Sequence, residues 1–389
     1  MSENIRKLDY FITENQISKE NGAIRPTNSA SKDWKHVRLG DIISLEYGKG
    51  LPEKERIYGK VPVVGSNGVI GYHNRALVKG PGIVIGRKGT IGAVTWIDTD
   101  FWPIDTTYYI KTKRNDIFLK WLYYQLQYLN LRKLHLADVV PGLKRELVEL
   151  LRCPLPPIDE QRRIAEILST VDEAIRLVDE SITRTERLKK GLMQELLTKG
   201  IGHKEFKDTE IGRIPREWTV VRLKDVLTLK NGERPQLSKT GSIPVYGANG
   251  IMGYTEKYLV DNDFTIIIGR VGASGEVHLG TGKIWISDNA IYSDKYDKSH
   301  VYLPFLYYLL KHKELSRFAV KTTHPIITQS FLKFYKIQLP SLPEQKRIAK
   351  ILLTVDKKLK AERRRKEKLE RIKKALMNLL LTGKVRVKV

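Results

Sequence analysis

The sequence holds one cysteine, Cys153, among 389 residues. That excludes a disulfide framework and any cysteine-based zinc site. Long apolar runs are missing too: Thr265-Ile266-Ile267-Ile268 is typical of the longest, far short of the ~20 residues that span a bilayer. The opening residues, MSENIRKLDYFITENQ, carry no apolar signal-peptide core. Acidic residues are in short supply, 44 against 69 Lys and Arg, for a formal net charge of +25. Such a field attracts polyanions, of which nucleic acid is the commonest in a cytoplasm; a charged, thermostable surface is the plainer alternative. Hydrophobic residues still make up 41%, enough for packed cores, and the length fits two or three domains. The expectation is a cytoplasmic protein without a membrane segment.

Catalytic signatures are equally scarce. Gly86-Arg-Lys-Gly-Thr-Ile-Gly92 and Gly269-Arg-Val-Gly-Ala-Ser-Gly275 are glycine-rich, but neither ends in the Gly-Lys-Ser/Thr of a phosphate-binding loop. The eight histidines are scattered, without the spacing of metal ligands, so no metal site is expected. The Pro156-Pro157 pair lies in Leu-Pro-Pro-Ile, not in the Asn/Asp-Pro-Pro-aromatic motif of an amino-methyltransferase. Asp105 and Asp288 read as turn or hydrogen-bonding residues. No catalytic residue is assigned.

What the chain does have is itself, twice, with a period near 184. Trp34-x-x-Val37-Arg38-Leu39-x-Asp41 recurs as Trp218-x-x-Val221-Arg222-Leu223-x-Asp225. Val61-Pro-Val-Val-Gly-Ser-Asn-Gly-Val-Ile-Gly-Tyr72 returns as Ile243-Pro-Val-Tyr-Gly-Ala-Asn-Gly-Ile-Met-Gly-Tyr254. Ile83-Val-Ile-Gly-Arg matches Ile266-Ile-Ile-Gly-Arg, and Trp121-Leu-Tyr-Tyr124 matches Phe305-Leu-Tyr-Tyr308. Leu155-Pro-Pro-Ile-Asp-Glu-Gln-Arg-Arg-Ile-Ala165 pairs with Leu339-Pro-Ser-Leu-Pro-Glu-Gln-Lys-Arg-Ile-Ala349. A period this long is too large for a solenoid, so each unit reads as one globular domain followed by one helix.

The globular parts are expected to be α+β. Ile83–Gly86 and Thr265–Gly269 read as buried strands. Ser66-Asn67-Gly68 and Ala248-Asn249-Gly250 carry the Asn-Gly signature of a hairpin in which both central residues take φ > 0. Ile117–Leu134 and Tyr302–Phe318 read as aromatic-rich helices.

The helical segments follow. Ile164, Leu168, Val171, Ile175, Val178 and Ile182 fall in alternating steps of four and three, a heptad seam, continued loosely by Leu188, Leu192 and Leu196. The copy has Ile348, Leu352, Val355, Leu359, Leu369, Leu376 and Leu380. Forty helical residues reach about 60 Å. Connectivity predicts that the second helix returns antiparallel to the first, giving a pseudo-twofold molecule with a domain at each end of a coiled coil; the alternative is two helices that each pack on their own domain. The boundaries read as a polar tail over 1–32, domain 1 over 33–157, helix 1 over 158–200, domain 2 over 201–341 and helix 2 over 342–389.

In this doubled order the sequence resembles the specificity subunit of type I restriction–modification systems. The Trp-x-x-Val-Arg-Leu-x-Asp openings and the Glu160-Gln161 and Glu344-Gln345 helix starts carry the resemblance, which covers nearly everything after the tail; Pro343 stands where the first copy has Asp159. The resemblance implies two target-recognition domains, each reading half of a bipartite site on double-stranded DNA. It implies helices that set the spacer and dock two modification subunits, with restriction subunits joining them. S-adenosylmethionine, ATP and Mg²⁺ belong to those partners, leaving this chain non-catalytic and without a cofactor of its own. A stand-alone bipartite DNA-binding or architectural protein and a methyltransferase with degenerate motifs are the rival classes.

The candidate DNA contacts are basic residues in loops. Arg87 and Arg270 occupy equivalent positions after a buried strand, which suits a phosphate contact or a structural salt bridge better than readout of two different half-sites. Lys49, Arg75, Lys88, Arg234, Lys239 and Lys257 lie in loops that differ between the copies. Trp34 and Trp218 read as core anchors, and Tyr123, Tyr124, Tyr307 and Tyr308 as packing. The run Arg363–Lys366 reads as a solvated helix face or as a DNA-phosphate or partner contact. The helix-packing set is Ile164, Leu168, Val171 and Ile175 against Ile348, Leu352, Val355 and Leu359.

Overall fold

A computed structural model describes residues 34–134, 142–320 and 325–388; the tail expected over 1–32 lies outside the described residues. The chain divides into two units, the first running to Asp179 and resuming at Arg364, the second spanning Glu180–Arg363. Each holds one α+β domain, half of the first long helix and half of the second.

In the first unit the order is β1 (Lys35–Arg38), α1 (Leu39–Ile42), β2 (Ile43–Tyr47), β3 (Val61–Gly65), β4 (Gly68–His73), β5 (Gly82–Gly86), β6 (Val94–Ile97), β7 (Trp102–Pro103), β8 (Thr107–Thr112), α2 (Leu119–Leu129), α3 (Arg145–Glu149) and β9 (Arg152–Leu155). The long helix α4 (Ile158–Thr198) follows. The second domain repeats the plan after a β10–β11 hairpin (Phe206–Thr209, Gly212–Pro215): β12 (Thr219–Arg222), α5 (Leu223–Val226), β13 (Leu227–Asn231), β14 (Ile243–Gly247), β15 (Gly250–Thr255), β16 (Val260–Gly269), β17 (Val277–Ile286), β18 (Ala290–Tyr296), α6 (Leu303–His312), α7 (Gln329–Phe334) and β19 (Lys336–Leu339). Helix α8 (Leu342–Leu380) ends the order.

Each domain closes on itself. Strand β1 pairs antiparallel with β9, and β12 with β19, so the last strand of a domain leaves beside its first and feeds the long helix. The central strands are buried along their length: every residue of β5 is inaccessible, as are Thr265–Gly269 of β16. Strands buried on both faces need the unbroken β-branched runs seen there. The sheets differ. Domain 1 has a four-stranded sheet β2-β8-β5-β6 beside a three-stranded β4-β3-β7, whereas domain 2 has one six-stranded sheet β13-β18-β16-β17-β14-β15. The ten-residue β17 does the work of β6 and β7 together, pairing antiparallel with β16 and parallel with β14.

Two local expectations are corrected. The hairpin turns do not place φ > 0 on two residues: only Gly68 (φ 104°) and Gly250 (φ 100°) are positive, because Asn130 and Glu314 are the only non-glycines so placed among the described residues. The two-residue loop is Ser66-Asn67 between paired Gly65 and Gly68, with a register shift between Val63 and Val64. A bulge therefore supplies the twist that a primed turn would have given. The aromatic helices are also shorter than 117–134 and 302–318. Asn130 (φ 51°) and Glu314 (φ 47°) break them, and a 3₁₀ turn follows each. A Cβ on Gly92 would lie 2.5 Å from the Arg132 nitrogen, and one on Gly275 2.3 Å from the Ser316 nitrogen. The loop after β5 or β16 thus presses on each break, and only glycine leaves room.

The long helices run antiparallel in both units. In the first, Lys373 meets Asp172 and Lys366 meets Asp179; in the second, Lys189 meets Asp356 and Arg363 meets Glu186. The run Arg363–Lys366 therefore contributes two interhelical ion pairs and is not simply a solvated face. Ile164, Leu168, Val171, Ile348, Leu352 and Leu359 are buried; Ile175 and Val355 are half-buried. The two packing alternatives both hold. Ile164, Leu168 and Val171 share one core with Ile83, Trp121 and Tyr124 of domain 1 and with Leu376 and Leu380 of α8. Ile348 and Leu352 share another with Ile266, Phe305 and Tyr308 of domain 2 and with Leu196 and Leu197 of α4. Each such buried side chain stabilises its unit by about 1.5–3 kcal/mol. Leu188 is off the seam and 55% exposed; the buried step beneath it is Thr185. From Leu381 to Lys388 the chain is no longer helical, although the helix 2 region was expected to run to 389.

Candidate nucleic-acid interface

The Glu-Gln pair at each helix start works as a latch. In the first unit Gln161 accepts from the Phe118 amide at 2.7 Å and donates to the carbonyls of Asp116 and Pro156. Gln345 repeats this with the Tyr302 amide and the carbonyls of His300 and Pro340. Each glutamine so ties the helix to the segment opening α2 or α6. The neighbouring carboxylates take the indoles: Trp34 Nε1 donates to Glu160 and Trp218 Nε1 to Glu344, both at 3.1 Å. Trp34 and Trp218 are buried, as core anchors should be. The remaining partners differ. Glu160 receives Arg386 at 2.8 and 2.9 Å and the Val387 amide; Glu344 receives His203 at 2.9 Å and the Ile201 amide. Both returning segments turn at a glycine. Gly200 and Gly383 each have φ 71°, and a Cβ on Gly200 would sit 2.5 Å from a Glu344 oxygen.

A second attachment lies farther along each helix. Tyr124 Oη donates to Asp172 at 2.8 Å, and Asp172 pairs with Lys373 at 2.6 Å. Tyr308 Oη donates to Asp356 at 2.6 Å, and Asp356 pairs with Lys189 at 2.5 Å. Each ammonium also lies over the tyrosine ring, at 5.7 and 5.6 Å. Burial pushes both phenols above the usual tyrosine range, so the hydroxyl stays a donor. Tyr123 and Tyr307 pack against these rings, and their hydroxyls accept from Gln127 and Lys311 of the same helix, whereas Tyr124 and Tyr308 join the domain to the long helix.

The basic candidates sit on loops at the strand ends. Lys49, Arg75, Lys88, Arg234, Lys239 and Lys257 are exposed, and Arg87 and Arg270 are half-buried. Among the described residues neither arginine makes a salt bridge. Arg87 donates through Nε and Nη2 to the Asp105 carbonyl at 3.2 and 2.7 Å; Arg270 donates to the Asp288 carbonyl at 3.4 Å. The Lys49 loop is pinned by Trp102, whose Nε1 donates to the Lys49 carbonyl at 2.8 Å, and the Lys49 amide donates to Pro103. Trp285 does the same for Glu233 in domain 2. Arg75 and Lys257 occupy corresponding places just after β4 and β15, the hairpin strands that expose Ile70, Tyr72, Met252 and Tyr254.

The model of the type I restriction modification DNA specificity domain matches twice, over residues 31–187 and 215–371. The chain belongs to this family. It is 30% identical over 416 aligned residues to the type I restriction enzyme MjaVIII specificity subunit of Methanocaldococcus jannaschii, covering 92% of this chain and 94% of that one. It is 37% identical over 256 residues to the putative MjaX specificity subunit of the same organism, covering 61% and 60%. The S subunit of a type I system from M. genitalium has the same fold, with a TM-score of 0.70 at 19% identity over 92% of this chain and 98% of that one. A chain from a type I restriction–modification complex gives 0.51 at 17% identity over 90% and 98%.

For a specificity subunit, the chemistry visible in these units is that of holding and positioning. Burial pushes the Cys153 thiol up to about 12, which leaves it unreactive at neutral pH. Among the described residues no cluster of His, Cys, Asp or Glu could hold a metal ion, and no helix is long and apolar enough to cross a membrane. Sequence reasoning missed the Arg386 and His203 contacts, the aspartates 172 and 356, and the Trp102 and Trp285 pins. A signal existed for most of these: Asp172, Asp356, Tyr124 and Tyr308 recur at an offset of 184, and Trp102 and Trp285 at 183, within the 182–184 spread of the repeat.

Proposed function

We propose that this chain chooses the DNA site for a type I restriction–modification complex. Each domain reads one half of a bipartite site in double-stranded DNA, while α4 and α8 set the spacer and dock two modification subunits, which restriction subunits join. S-adenosylmethionine, ATP and Mg²⁺ act in those partners; this chain contributes no catalytic group and works in the cytoplasm. The observation that carries the reading is a contrast within the repeat. Both domains are fastened to the helices by the same residues, whereas their exposed loops differ, with Lys49 facing Glu233 and Lys88 facing Val271 as counterparts. Common attachments with different loops suit one framework presenting two unlike half-sites.

The test has two arms, each read by mapping methylated adenines in cells that also make the modification subunit. Replacing residues 217–338 by the matching domain of a relative changes one half-site and leaves the other intact. Alteration of both halves contradicts modular reading. Inserting four residues after Asp179 and four after Arg363, so that the helices stay matched, adds about 6 Å and rotates by about 40°. DNA rises about 3.4 Å per base pair, so the spacer lengthens by one or two base pairs with the half-sites unchanged. An unchanged spacer at full activity means the helices measure nothing. Tight, site-specific binding by the purified chain without any partner points instead to a stand-alone DNA-binding protein.

A further inference from the structure

We propose that the spacer is set by two tyrosine–aspartate–lysine joints as well as by helix length: Tyr124–Asp172–Lys373 in the first unit and Tyr308–Asp356–Lys189 in the second. The proposal rests on the reading above that each domain recognises a half-site. Its basis is geometric. A domain attached to a helix only at the Glu-Gln latch could pivot about that point. The joint lies eleven residues beyond Gln161, and equally far beyond Gln345, which is about 16 Å along the helix axis. Two attachments that far apart fix an angle where one cannot.

The joint also ties three elements at one atom group. The domain's aromatic helix supplies the phenol, its own spacer helix the carboxylate, and the opposite spacer helix the ammonium. Apolar contacts such as those of Leu168 or Leu352 tolerate sliding. Hydrogen bonds of 2.6–2.8 Å between a buried phenol and a carboxylate do not, and leaving the phenol unpaired carries a desolvation penalty. In the first unit Ser169 adds a further contact to Tyr124 at 3.2 Å. Asp172, Asp356, Tyr124 and Tyr308 are thus positioning residues, acting on DNA only through the orientation of the domain they hold.

The test uses the full chain with its modification subunit and two variants, Asp356→Asn and Tyr308→Phe; the second keeps the ring and the packing. Spin labels at Asp261→Cys in domain 2 and Arg187→Cys on α4 report the distance between domain and helix, since Cys153 is fully buried and stays unlabelled. Asp356→Asn is expected to widen that distance distribution at least 1.5-fold and to spread methylation from one spacer length to its neighbours, with the half-site bases unchanged. Tyr308→Phe does the same to a smaller degree. An unaltered distribution together with a single spacer overturns the proposal. So does an equal loss of methylation at every spacing, which marks a merely structural role, and so does a widened distribution with an unchanged spacer, which places the control of spacing elsewhere. If the unsubstituted complex methylates no bipartite site, the underlying reading of function fails, while the distance measurement still decides whether the joint holds the domain.

Discussion

The two domains differ where they face outward and agree where they meet the helices. Domain 1 splits its outer sheet at Asp98–Phe101, so β6 and β7 are separate and Pro103 ends the second. Domain 2 runs one strand through the same place, with Ile286 in the position of Pro103 and paired to Tyr246 as Pro103 is to Val64. Both strands end at this step, where the next amide, that of Ile104 or Ser287, donates to the Val64 or Tyr246 carbonyl, so the domains differ in what precedes it. The indole pin survives this change, because Trp102 and Trp285 hold the loop after the first sheet strand in both domains. At the helices almost nothing varies: Trp to Glu, Gln to three backbone groups, Tyr to Asp to Lys. The shared helices demand one set of attachments, and the free edges are open to divergence.

The exception is the group that completes the buried glutamate, and it allows the sharpest break of the likeness. Glu160 faces the guanidinium of Arg386, which stays charged at physiological pH, whereas Glu344 faces the imidazole of His203. Glu160→Gln keeps one acceptor oxygen where Trp34 and the Val387 amide use two, and it removes the negative charge facing a two-thirds buried guanidinium. A loss of about 3 kcal/mol is expected for the first unit, the scale on which breaking a buried ion pair destabilises. Glu344→Gln is expected to cost about 1 kcal/mol, the scale of one weakened hydrogen bond. Urea denaturation of the two variants, followed by tryptophan fluorescence, measures both. Equal losses would mean that the imidazole contact contributes as much as the guanidinium pair.

That asymmetry also marks how far the sequence could be read. The repeat, the α+β class and the buried strands were visible because each is a local pattern, apolar spacing or a glycine at a fixed place. The Glu-Gln motif was visible as a signature, but its role was not, since Trp34 and Glu160 are 126 positions apart and meet only when β1 pairs with β9. Arg386 stayed hidden for a related reason. Val385-Arg386-Val387 shares no pattern with Ile201-Gly202-His203, and only the glycine turns at 383 and 200 bring the two segments to equivalent places. The helix breaks at Asn130 and Glu314 could not be read because packing against Gly92 and Gly275 overrides helical propensity. The fused sheet of domain 2 depends on pairing between strands far apart in sequence. Among the candidate contacts, the position of a cation on a loop was legible and the carbonyl beneath its head was not.

The smallest expected difference concerns the equivalent arginines. Arg87 gives two donors to the Asp105 carbonyl, one at 2.7 Å, and its guanidinium lies 5.3 Å from the Tyr47 ring centroid. Among the described residues the Arg270 side chain makes a single bond, of 3.4 Å, to the Asp288 carbonyl, near the outer limit of such a bond, so its other donors are freer for a phosphate oxygen. Each phosphate neutralised contributes about 0.9 to the slope of log affinity against log salt. Arg270→Ala is therefore expected to lower that slope by about 0.9 for the assembled complex on its duplex, without changing which bases are methylated. Arg87→Ala is expected to leave the slope unchanged and to destabilise the loop by about 0.5–1 kcal/mol, the net worth of a hydrogen bond at a half-buried site. Fluorescence anisotropy titrations between 50 and 200 mM salt, about the range over which such contacts are lost, separate the two. A lower slope for both variants would make the arginines equivalent phosphate contacts, and the shorter bonds of Arg87 would then describe only its resting position before DNA arrives.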